Sequence, residues 1–171
     1  MSKVPNDHIE APEPTDILFV LEREDHVTET SRRLVERYMR TWSCSALDAL
    51  IRTHVMPEAE LANALASILK IDRVYHINTL TFADVSLAVL PFRRAREWVC
   101  LVVRQESGQL ELVIADPTRT DRISEIKQGL KMELTLSVAE RSDIVRAIDE
   151  LYPLSAQLPS LYGSANSEGR S

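Results

Sequence analysis

The chain has 171 residues, 44% of them hydrophobic and 27% charged, with a net charge of -6 and an isoelectric point near 5.3. This composition supports one core, or two small subdomains sharing a boundary, and its acidic balance excludes a general nucleic-acid binder, whose phosphate contacts need a basic surface. Cys44 and Cys100 match no CxxC spacing, which excludes a disulfide framework and leaves two reduced thiols.

Residues 1–14 are rich in proline and acid with little to bury, and read as a flexible arm. They lack the apolar stretch of a signal peptide, and no later run approaches the roughly 20 residues of a membrane span. A cytoplasmic protein is expected, reaching a membrane only through a partner. ILFVLE at 17–22 follows Thr15 and Asp16, either of which suits an N-cap. So short an apolar run is not told from a strand by period alone, and the pattern favours a helix.

From Val27 the spacing predicts an amphipathic helix. Leu34, Tyr38 and Trp42, helped by Val35, make its apolar stripe, while Arg33, Arg37 and Arg40 line another face. A short helix over 46–52 turns Leu47, Leu50 and Ile51 inward. Pro57 suits the first turn of a further helix running to about Lys70. There Glu58 and Glu60 complement the dipole, and Leu61, Leu65, Ile68 and Leu69 are buried.

The second half changes character. VYHI at 74–77 reads as a short strand, and a helix over 83–90 stops at Pro91, followed by a helical turn with Arg93, Arg94 and Arg96. WVCLVVRQ and QLELVIAD flank ESG, with Gly108 as the turn residue, and predict a hairpin covered on at least one face. Ile123, Ile126 and Leu130 mark a helix that Gly129 terminates. KMELTLSV alternates, placing Met132, Leu134, Leu136 and Val138 on one side of a strand, and a last helix with Ile144, Ile148 and Leu151 ends before Pro153.

The order β, β, α, β, α predicts an α/β (α+β) fold. A helical subdomain over 15–72 precedes a small α/β subdomain over 73–152, built from a hairpin and a β-α-β-α unit. Its crossover is right-handed if the strands are parallel. The tail over 153–171 is expected to be largely disordered, with Leu154, Leu158 and Leu161 able to dock on the body.

Signs of catalysis are scarce. With only four glycines, at 108, 129, 163 and 169, the chain has neither a phosphate-cradling loop nor a GxSxG elbow. His8 and Glu10 spell HxE, but the companion PCxxC of a zinc deaminase is missing. His54 and His76 have no acid or cysteine at ligand spacing, and the ten residues from Cys44 to His54 fix no nucleophile–base geometry. No catalytic residue, metal or cofactor is expected.

Two arginine clusters are candidate partner-binding sites. Arg33, Arg37 and Arg40 on adjacent turns could meet an acidic partner or a phosphate, against a plainer reading as a solvated face partly neutralised by Glu29 and Glu36. Arg93 and Arg94, with Arg96, are the second cluster. Asp116 ends a strand, where an acid can hold magnesium, activate water or cap a helix. No second acid in a fixed register accompanies it, so LVIADPTRTD reads as a strand-to-helix connection. Asp116 accepts turn amides, Pro117 fixes the backbone, and Thr118 with Asp121 resembles a weak capping box.

The succession LAVLPFRRARE, WVCLVV, GQLELVIADPTRTDRISEIKQGL, a β-segment and a closing helix ending in LY resembles the N-terminal domain of type II secretion and type IV pilus assembly ATPases. The same domain, MshEN, also occurs attached to some bacterial glycosyltransferases. Leu90, Pro91, Ala115, Asp116, Pro117 and Gly129 match the family pattern, and LDALIRTHVMPEAELANALASILKI follows its preceding helical pair. The resemblance spans roughly 45–152 and implies a non-catalytic module that docks a motor onto the cytoplasmic domain of an inner-membrane platform protein.

Some members bind cyclic di-GMP, using an Arg-Leu-Gly start, a glycine after the first helix and a glutamine at the end of the second. Here Ser45, Ala46 and Leu47, then His54, then Ile68 stand at those places, so loss of the nucleotide site is expected. No Walker motif follows within the 171 residues. The chain therefore reads either as the N-terminal portion of a longer ATPase or glycosyltransferase, or as a free-standing adaptor.

Overall fold

A computed structural model describes residues 14–77, 81–82 and 86–153. Residues 1–13 of the arm expected over 1–14, with the HxE triplet, the start of the helix expected from 83, and the tail leucines lie outside them, while Pro14 opens a helix.

The first half is helical: α1 (Pro14–Arg23), α2 (Glu29–Trp42), α3 (Ala46–Arg52) and α4 (Glu58–Leu69). Ile17, Leu18 and Leu21 are buried, which gives the 17–22 run its helical reason. Thr15 and Asp16 lie inside α1 rather than capping it. Caps appear where the chemistry favours them: Thr28 accepts from the Ser31 amide at the start of α2, and Ser45 from the Asp48 amide at the start of α3. The core of this half gathers Ile17, Leu18, Leu21, Val35, Leu47, Leu50, Leu61 and Leu65.

The second half comprises β1 (Asp72–Arg73), β2 (Thr81–Phe82), α5 (Ser86–Val89), α6 (Phe92–Trp98), β3 (Cys100–Arg104), β4 (Leu110–Ile114), α7 (Thr120–Leu130), β5 (Leu134–Val138) and α8 (Arg141–Leu151). The sheet order is β1-β5-β4-β3-β2. β5 runs parallel to β1 and β4, while β3 is antiparallel to β4 and β2. The chain is thus an α+β fold, with the expected hairpin at β3–β4 and the expected β4-α7-β5-α8 unit. Gly108 turns the hairpin at φ +85, a conformation that side chains disfavour.

Both hairpin strands are buried almost throughout, because helices pack on them. The strand expected at 74–77 is instead the two-residue β1, placed where Asp72 pairs with Ser137 and Arg73 with Val138. β5 begins at Leu134, leaving Met132 exposed before it, and its Ser137 is as buried as Val138 because that end of the strand is covered on both faces. Tyr152 closes the half: its hydroxyl donates to the Leu90 carbonyl at 2.7 Å and its ring meets Phe92 edge-on.

Gly129 does not end α7. The left-handed C-cap is Lys131 (φ 52), and Gly129 sits inside the last turn against Val89 of α5. The glycine serves helix–helix approach rather than termination.

Candidate partner-binding face and the Asp116 cleft

α2 exposes a different apolar set from the one its spacing predicts. Val35 is fully buried, with Tyr38 and Met39 packed beside it. Leu34 (47% exposed) and Trp42 (67%) face out, Trp42 tilted against Tyr38 at 6.1 Å. The apolar stripe therefore straddles the edge of the core, because α1 and α3 cover only the Val35 side of the helix.

Arg33, Arg37 and Arg40 lie on the exposed side. Arg33 pairs with Glu29, and Arg32 is held by Glu22 and Glu36, so the neutralising role expected of Glu36 goes to a different arginine. Arg37 and Arg40 make no ion pair among the described residues. Thr30, Arg33, Leu34 and Arg37 line an open groove of about 440 Å³.

Arg93 and Arg94 lie on α6. Arg94 is engaged twice, by Glu125 at 2.7 Å and by stacking 4.9 Å from the Trp98 ring centre, and Arg96 pairs with Asp149. Arg93 is exposed, with no ion pair among the described residues. The structure does not bring the two clusters together.

Asp116 follows β4 at the mouth of a polar cleft of about 90 Å³. Asp116 Oδ1 accepts from the Thr118 amide (3.1 Å) and hydroxyl (2.5 Å). Burial pushes its carboxyl above the usual aspartate value, and the two Thr118 bonds offset part of that rise. The capping box does not form. Thr118 spends its hydroxyl on Asp116, and Asp121 instead takes a two-pronged bond from Arg119, which holds it down to about 2.

Sequence reading missed the cleft because its walls come from separate elements. Ser45 and Asp48 come from the start of α3, Trp98 and Val99 from the end of α6, Arg119 and Arg122 from the start of α7, and Arg141 from α8. Val99, a β-branched residue, sits at φ 49, a strained conformation held by the Ala95 and Ala115 backbone bonds. Three arginines face three acids in this space, and Arg141 is already tied to Asp48 at 3.1 Å.

Residues 75–158 match the model of the MshEN domain. That part of the chain is similar to an MshEN domain. The solved N-terminal domain of XpsE is similar to it at 23% identity and a TM-score of 0.69, covering 83% of this chain and 99% of that one. MshE, solved with cdg, is similar at 20% identity and a TM-score of 0.62, covering 82% of this chain and all of the other. No curated protein matches.

The resemblance to the N-terminal domain of secretion and pilus assembly ATPases therefore holds in the fold. The MshEN match begins at Tyr75, so α1–α4 lie outside it, whereas both structural likenesses reach beyond it. His54, in the turn between α3 and α4, adopts φ 52. The turn keeps a glycine-like backbone while carrying a side chain.

Among the described residues no helix is long and apolar enough to cross a membrane, and no group of three or more His, Cys, Asp or Glu could hold a metal.

Proposed function

We propose that this chain is a non-catalytic cytoplasmic docking module of a secretion or pilus machine. It captures the cytoplasmic domain of an inner-membrane platform protein through the exposed face of α2. The observation that carries this is the pairing of uncompensated Arg37 and Arg40 with exposed Leu34 and Trp42 on one helix. An acidic amphipathic partner helix satisfies both features: its apolar side covers Leu34 and Trp42, and its carboxylates meet the arginines. In this reading the helical part over 15–72 presents the face and the part over 73–152 is its platform, with Arg93 a secondary contact. The test is capture of that cytoplasmic domain by the native chain and by Arg33→Glu/Arg37→Glu. Affinity should fall at least about tenfold, a change of about 1.4 kcal/mol. Equal capture would remove α2 from the reading.

A second reading, cyclic di-GMP binding, has one specific support. Ser45, where the first MshEN nucleotide motif would start, opens onto the Asp116 cleft beside three arginines. Against it, Ala46 is fully buried, the cleft is only about 90 Å³, and Arg141 is occupied by Asp48. Titration calorimetry at roughly tens of micromolar protein decides the matter, since micromolar binders saturate there. No heat would dismiss the nucleotide.

A further inference from the structure

Three consecutive residues at the start of α8 each reach back to the helical half or to the strand that follows it. Glu140 takes Arg73 Nη2 at 2.7 Å, and the same guanidinium donates to the Ala59 carbonyl at 3.0 Å and to Asn63, both on α4. Arg141 binds Asp48 of α3 at 3.1 Å. Ser142 donates its amide (2.9 Å) and its hydroxyl (2.8 Å) to one oxygen of Glu58, in the first turn of α4.

Glu58 acts as a cap supplied from elsewhere. Glu140 occupies the N-cap position of α8 without making a side-chain cap bond, so orphan amides of the first turn need an outside acceptor. The Glu58 carboxylate provides it, and its charge is favourable at the N-termini of both α4 and α8. The apolar seam beneath joins Leu61 and Leu65 to Val138 of β5, with Ala115 and Ala139 beside them. Apolar burial is non-directional, whereas the charged bonds fix how the two surfaces are oriented.

We propose that the first turn of α8 is a charge-held joint that couples the helical half to the sheet half, so that the two open together. Glu58, Asp48 and Glu140 are its sockets, and Ser142, Arg141 and Arg73 its plugs. The joint does not depend on which partner α2 captures. Its consequence is that a disturbance at α3 or α4 is felt at α8 and in the sheet beneath it.

Native-state amide exchange, followed by mass spectrometry through a urea series below the unfolding transition, tests this in the full chain. In the native protein the core amides of α4 and of β4 should converge on one opening. In Asp48→Asn/Glu58→Ala, α4 should open at lower urea than β4, separated by about 0.5 M or more, while β4 keeps its protection. Arg141→Asp alone should also separate them, and the swap Asp48→Arg/Arg141→Asp should bring them back together. The proposal is overturned if α4 and β4 open separately in the native chain, if they stay merged in the double variant, or if the swap fails to restore coincidence. Should the double variant not fold, the swap series decides alone.

Discussion

Gly129 lies so close to Val89 that a Cβ added to it would stand 2.8 Å from Val89 Cγ1 and 3.2 Å from Val89 Cβ. α7 and α5 therefore touch through a missing side chain. An alanine in a helix interior is ordinarily worth about 1 kcal/mol over glycine, but overpacking costs about 1–3 kcal/mol. Gly129→Ala should lower stability by about 1 kcal/mol in urea denaturation, and Val89→Ala in the same chain should recover most of the loss. A stabilised single variant would show that the contact relaxes freely.

On α2, Arg33→Glu/Arg37→Glu should leave the circular dichroism spectrum and the unfolding midpoint nearly unchanged, because both side chains are exposed and surface pairs such as Arg33–Glu29 contribute about 0–1 kcal/mol. Leu34→Ser/Trp42→Ser should likewise keep the fold while weakening partner capture. Loss of fold in either variant would show that the face is part of the core.

Asp116→Ala should cost about 1–3 kcal/mol, because it strands the buried Thr118 amide and hydroxyl without their acceptor. Asp116→Asn keeps an acceptor and removes the buried charge. A carboxyl whose folded pKa is raised binds its proton more tightly in the fold, so its ionisation erodes stability as pH rises past the ordinary aspartate range. Relative to the native chain, Asp116→Asn should therefore gain stability between about pH 3 and 7, read from urea midpoints. Asp121 has the opposite sign: its stabilisation is present above the ordinary aspartate value and is lost as pH falls toward about 2.

Cys100 is fully buried in β3, and burial pushes its thiol up to about 12. At pH 8 iodoacetamide should label half-buried Cys44 and leave Cys100 untouched until urea unfolds the sheet. Mass spectrometry of the native protein reads this directly. Equal labelling of both would contradict the buried placement of β3.

The hairpin, the short helix over 46–52 and the α7–β5–α8 succession were legible because their signals are local. Alternation marks a strand, glycine marks the Gly108 turn, and the spacing of Leu47, Leu50 and Ile51 marks the short helix. Gly129 was read as a stop signal because glycine near a helix end usually is one. Its partner Val89 lies forty residues away, where no local pattern reaches. The period of α2 puts Leu34 and Trp42 on one apolar stripe with Tyr38, but only the positions of α1 and α3 decide how much of that stripe is covered.

What the amino-acid sequence determined by itself was the four helices of the first half, the β3–β4 hairpin, the α7–β5–α8 order, the Asp116–Pro117 connection and the MshEN likeness that these carry. Each depends on residues within a few positions of one another, where backbone preference and side-chain period act. What only the tertiary structure decided was the edge placement of β1, the exposed face of α2, the cleft around Asp116 and the joint at the start of α8. In those places Ser45, Glu58, Asp116 and Arg141 acquire their neighbours from remote segments, and the packing of whole helices onto the sheet selects which side chains meet.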